Sequence, residues 1–203
     1  MKYLDTINSI LTYAPIVGGV VFLAFTYIWH LKGKLTAQML KKCVWYAAIF
    51  FGLIVAAEII AQYYAYKTDP FGKLFLPPHQ SIYWFVFSMW KKFVAPYVLS
   101  FAAGLFMYAV ARSTNASFKR ELFVENDKYV FLLAALILSW PNYVLYLLLS
   151  AILVAVQTLA VSAIKKDFGE RVVLTNALLL SIGGIMILSG TIAKYVELWK
   201  LTI

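Results

Sequence analysis

The chain holds one cysteine, Cys43, so no disulfide can form within it. Cys43 begins an apolar run and reads as a small buried hydrophobe. Histidine occurs twice, at His30 and His79, on opposite sides of the expected bundle, which excludes a shared histidine metal site. Only 13% of residues are charged and nine are acidic. Soluble domains carry about 25% charged residues, so a soluble enzyme domain and a disordered tail are both excluded. There is no HExxH, no phosphate-binding Walker loop and no GxSxG. No long Gly/Ser linker, low-complexity tract or clear internal repeat divides the chain, so it reads as a single integral membrane domain over residues 1–203. No cofactor and no metal are expected.

What remains is apolar. Hydrophobic residues make up 63% of the chain, and the mean hydropathy is +0.80. They lie in long uncharged runs without in-out alternation. In lipid, backbone groups must be satisfied within the segment or in a closed barrel, and barrel strands alternate. The expected fold is therefore all-α: a polytopic transmembrane helical bundle of about six spans plus a short interfacial segment. The formal charge of +9 sits in short loops between the runs, the pattern of the positive-inside rule and not of a nucleic-acid-binding face. Lipid is the expected partner, together with other membrane proteins, and nucleic acid is not.

The first span, about 13–31, ends in Trp29-His30 with no small-residue cleavage site, so it reads as a retained helix. The second is about 43–66. Asp69-Pro70, Gly72 and Pro77-Pro78 then mark a loop. Ser81–Trp90 is aromatic-rich, short and followed by Lys91-Lys92. It reads as an interfacial segment ahead of a third span at about 93–111, and one long tilted helix from Ile82 is the competing reading. From Tyr129 to Ile164 there is no charge. At helix rise that run would be about 54 Å long, too much for one crossing. Trp140-Pro141-Asn142 breaks it into spans at about 121–139 and 143–164, and a last span covers about 172–193. Most basic residues, among them Lys32, Lys34, Lys41, Lys42, Arg112, Lys128 and Arg171, collect on one side. That side reads as cytoplasmic, in a plasma (inner) membrane, with both termini outside.

A carboxylate in lipid costs a few kcal/mol or more, which makes each intramembrane acid a candidate site. Glu58 lies inside the second span, Gln62 is one turn further on, and Gln157 in the fifth span is a natural partner for either. These three form a candidate intramembrane polar set, either gluing helices or lining a solute path. Glu121, Glu125 and Asp127 form a second cluster at the mouth of the fourth span, with Glu121 and Glu125 on one helix face. They are the candidate catalytic acids, against the plain reading of a charged helix start. Gly18-Gly19, Gly183-Gly184 and Gly190 mark places where helices can approach closely. Asn115-Ala116-Ser117 has the form of a glycosylation sequon but falls on the cytoplasmic side.

One stretch carries a resemblance. Glu125-Asn126-Asp127-Lys128 precedes Leu132-Leu133-Ala134-Ala135-Leu136 and Ser139-Trp140, and a long apolar helix, a basic loop and a final span follow. From Glu125 to Gly184 this resembles the C-terminal half of the prepilin peptidases, the membrane aspartyl proteases that trim type IV pilin leaders. The resemblance implies that Asp127 occupies the position of a catalytic aspartate and faces the cytoplasm. Asn126 replaces the family's glycine, Tyr129 its lysine, and Leu174-Thr175-Asn176-Ala177 its Pro-Phe-Gly-Pro; the first aspartate motif and the Cys-x-x-Cys pairs are absent. The expectation is a non-catalytic, prepilin-peptidase-like scaffold or assembly factor. A small-solute or proton-coupled transporter and an intramembrane aspartyl peptidase are the two alternatives.

Overall fold

The structure, a computed structural model, describes residues 2–118, 123–165 and 174–195. Every regular element among them is helical. The order is α1 (Lys2–Leu31), α2 (Ala37–Thr68), a 3₁₀ turn (Gly72–Phe75), α3 (Ile82–Met89), a π turn (Trp90–Val94), α4 (Ala95–Phe118), α5 (Glu125–Leu138), α6 (Asn142–Lys165) and α7 (Thr175–Tyr195). Each of the six expected spans overlaps a helix, and the expected starts of the fourth and sixth, at 121 and 172, lie outside the described residues. Among the described residues, four segments are long and apolar enough to cross a membrane: Ser9–Leu31, Ala37–Thr68, Ile82–Ser117 and Asn142–Val161. Thr175–Ser189 is a shorter apolar helix.

Local chemistry sets the helix ends. Gly33, at φ +65°, closes α1 in the left-handed conformation that a residue with a Cβ resists. The Gly33 and Lys34 amides return to the carbonyls of His30 and Trp29. The Thr36 hydroxyl then accepts from the Met39 amide at 3.3 Å and starts α2.

The segment 81–90, capped by Ser81, is not a helix of its own. It is helical and continuous with α4, giving one 36-residue helix from Ile82 to Ser117. Pro96 has no amide to offer the carbonyl four residues back. The turn before it widens into a π turn, in which the Ala95 amide bonds the Trp90 carbonyl, and the helix passes on unbroken. Between Lys92 and Arg112 this helix rises about 30 Å, one hydrocarbon core. The α3 portion projects past Lys92 and packs Phe85 and Met89 with Leu76, Ile59, Tyr66 and Phe93 in a second, smaller apolar cluster.

The centre of the bundle is α5. Every residue from Val130 to Leu138 is buried. Helices α1, α2, α4, α6 and α7 all pack against it. A helix that is apolar all round belongs inside, and this one is enclosed by protein. Its 14 residues rise about 21 Å, short of a full crossing. It ends at Ser139, at φ +50°, and the chain turns through Trp140 and Pro141 into α6. The Trp140 amide donates to the Pro96 carbonyl at 3.1 Å, so the turn docks against the middle of the long helix.

Close approach depends on glycine at two of the packed faces. A Cβ on Gly104 of α4 would stand 2.8 Å from the Ala135 Cβ of α5. A Cβ on Gly19 would stand 2.9 Å from Ile137 Cγ2 and 3.0 Å from Met186 Cε. The expected contacts at Gly18 and Gly184 are also present, against Phe50 and Leu149. Gly190 lies outside the residues whose surroundings are described.

Candidate functional site

The first turn of α5 gathers polar groups at one end of the bundle. Val124 is extended, at φ −68° and ψ 156°, and precedes the helix without a side chain able to cap it. The third helical residue, Asp127, does that work. Its Oδ2 accepts from the Val124 amide at 2.9 Å. Its Oδ1 accepts from the Thr175 hydroxyl. Asp127 is fully buried, and Thr175 is 2% exposed. Thr175 opens α7, so the carboxylate lies at the N-terminal ends of two helices, where both dipoles favour negative charge. A buried carboxylate without partners would cost several kcal/mol, and here both oxygens are engaged.

Neighbouring amides fasten the same end. Asn126 donates from Nδ2 to the Leu35 carbonyl at 3.0 Å, linking α5 to the α1–α2 loop. Asn115 donates to the Phe123 carbonyl at 2.7 Å and accepts from the Phe123 amide at 2.9 Å. Both faces of the sequon asparagine are thereby committed to backbone.

Two tyrosines of α6 complete the surroundings. Tyr143 and Tyr146 are both fully buried, and their rings stack at 5.5 Å. Tyr146 also meets Phe131 edge-on at 6.4 Å. Neither tyrosine hydroxyl has a hydrogen-bond partner among the described residues.

The expected acids separate. Glu125 is exposed, two residues before buried Asp127. Glu121 lies outside the described residues. Glu58 is half-buried on α2, and its electrostatic neighbours are Lys92 of the π turn and Tyr97 of α4. Gln62 is half-buried one turn beyond it. Gln157 belongs to α6, which packs mainly on α7 and α5, whereas α2 packs mainly on α5, α1, the 3₁₀ turn and the π turn. The central helix α5 thus stands between α6 and the helix carrying Glu58 and Gln62.

Thr175, Tyr143, Tyr146, Lys92 and Tyr97 were not legible as site residues. Thr175 stood out only as a departure from the peptidase pattern, and Lys92 only as the end of an aromatic run. His30 ends α1 and His79 lies in the loop before α3, at opposite ends of the bundle. Among the described residues, no group of three His, Cys, Asp or Glu side chains could hold a metal ion. No protein-family model, curated protein or solved structure matches the chain.

Proposed function

We propose that the chain is a multi-pass plasma-membrane protein with a prepilin-peptidase-like C-terminal half that serves as a non-catalytic scaffold or assembly factor. Its basic loops face the cytoplasm and both termini face outward. The observation that supports this reading is the state of Asp127. Its two oxygens are held by the Val124 amide and the Thr175 hydroxyl, in full burial. Aspartyl proteolysis uses two carboxyl groups that share a proton and face a substrate. Among the described acids, Glu125 is exposed at the helix start and Glu58 belongs to another helix with Lys92 beside it. In this arrangement Asp127 fastens α5 to α7, a structural task.

The test is direct. Purified protein in detergent is incubated with a prepilin-like leader peptide, and Asp127→Asn is compared for cleavage and for melting temperature. The expected result is no cleavage by either form, with a lower melting temperature for Asp127→Asn. Cleavage by the native protein that Asp127→Asn abolishes would establish the peptidase alternative. For the transporter alternative, a cysteine at position 58 in a Cys43→Ala background would have to be labelled through a water path from both aqueous faces; the scaffold reading expects one face at most.

A further inference from the structure

We propose that the groove between α2 and α4 binds an anionic membrane phospholipid, one acyl chain lying in the groove and the phosphate meeting Lys41. Between the two helices, over the buried face of α5, lies an apolar groove of about 460 Å³. Its walls include Phe51, Gly52 and Val55 of α2 and Val98 and Leu105 of α4, with Leu136 of α5 as the floor. That volume lies within the range of about 300–1,000 Å³ typical of small-molecule sites. Gly52 leaves the wall open: a Cβ there would meet nothing within 4 Å.

The channel has a chemically distinct end. A second hollow of about 230 Å³ shares Ala48 and Phe101 with the first and is bordered by Lys41, Trp45 and Tyr129. Lys41 and Trp45 are both exposed. From Lys41 to Gly52 the helix rises about 16 Å, close to half of a hydrocarbon core of about 30 Å. An acyl chain of one leaflet therefore fits between a cation at headgroup depth and an apolar pocket near the midplane. Trp45 and Tyr129 offer the amphipathic rings that favour the interface. The charge at the mouth selects an anionic headgroup, because juxtamembrane lysines attract acidic lipids.

The other flank of α2 repeats the design. A groove of about 450 Å³ between α1 and α2 is lined by Val21, Phe25, Cys43 and Tyr46, with Lys42 at the same end. Lys41 with Trp45 and Lys42 with Tyr46 are the same cation–aromatic pair, each one helical turn apart and each bordering its own groove.

Native mass spectrometry of the full chain, released from nanodiscs of phosphatidylcholine with or without phosphatidylglycerol, tests this. Lys42→Gln serves as the background, so that the second groove does not mask the first. The expected result is selective retention of phosphatidylglycerol. Adding Lys41→Gln should lower that preference about fivefold, the factor corresponding to one juxtamembrane lysine. Adding Gly52→Phe, which fills open space, should remove the retained lipid while leaving the helical circular dichroism intact. Equal retention of both lipids, or a preference that survives Lys41→Gln, overturns the proposal. If Gly52→Phe instead changes the oligomeric mass with lipid retention unaltered, the groove seats a protein helix and the lipid assignment is wrong.

Discussion

The Asp127 carboxylate accepts the Thr175 hydroxyl across 48 residues of sequence, and the two side chains are fully or almost fully buried. This bond joins the start of the enclosed helix α5 to the start of α7. The same carboxylate caps the Val124 amide, so one side chain both begins a helix and positions its neighbour. Thr175→Val removes the hydroxyl with little change of shape and leaves a buried charge one partner short. A loss of about 1.5–3 kcal/mol is expected, the range for a hydrogen bond to a charged group. Thr175→Ser keeps the donor and should recover most of it. Thermal melting of the three proteins in one detergent checks the order; equal stability of Thr175→Val and the native chain would contradict the fastening role.

The tyrosines of α6 should behave in the opposite way. Tyr143 and Tyr146 bury hydroxyls that have no hydrogen-bond partner among the described residues. A buried unsatisfied polar group costs about 1–3 kcal/mol. Tyr146→Phe and Tyr143→Phe keep the ring stacking and are expected to be neutral or stabilising in the same melting assay. A marked drop in melting temperature for either would show that its hydroxyl contributes to stability.

Two glycines make a paired experiment on packing. At Gly104 a side chain would collide with Ala135 Cβ and approach the Phe131 carbonyl at 3.4 Å, neither of which can rotate away. Gly104→Val is therefore expected to cost at least the 1–3 kcal/mol typical of overpacking. Gly52 faces open space within α2. Gly52→Ala adds helix propensity without a clash and should stabilise by up to about 1 kcal/mol. Folded yield and melting temperature should move in opposite directions for the two variants.

The end of the bundle is held by amides as well as by Asp127. Asn126→Ala removes the bond to the Leu35 carbonyl, and a loss of about 0.5–1.5 kcal/mol is expected. Asn115→Ala removes two bonds to Phe123 and should cost more. Hydrogen exchange localises the effect: faster exchange at the Phe123 and Val124 amides is expected in Asn115→Ala, and unchanged exchange there would remove the fastening role.

The limits of the sequence can be seen in particular residues. Asp127 could be picked out as a candidate acid, because a carboxylate beside a charge-free run is rare and costly. Its role could not, because the partner that decides it is a threonine 48 positions away, and a threonine in an apolar segment carries no signal of its own. The pair Lys91-Lys92 looked like a helix boundary, since charge ends a span by composition. Backbone hydrogen bonding decides helix continuity instead, and a π turn carried the helix through to Pro96.

Composition and run length alone established an all-helical chain with the break at Trp140-Pro141, because apolar runs of that length can satisfy their backbone in lipid only as helices and the charge-free run from Tyr129 to Ile164 is too long for one crossing. Only the tertiary structure decided which helix lies at the centre. Leu159 on α6 is 65% exposed and Leu133 on α5 is 0% exposed, yet both belong to the same charge-free run from Tyr129 to Ile164. A lipid tail is as apolar as a leucine side chain, so hydrophobicity records that a segment leaves water and is silent on whether protein or lipid receives it. Close packing at Gly104 and Gly19 and the bond from Asp127 to Thr175 made that choice for α5.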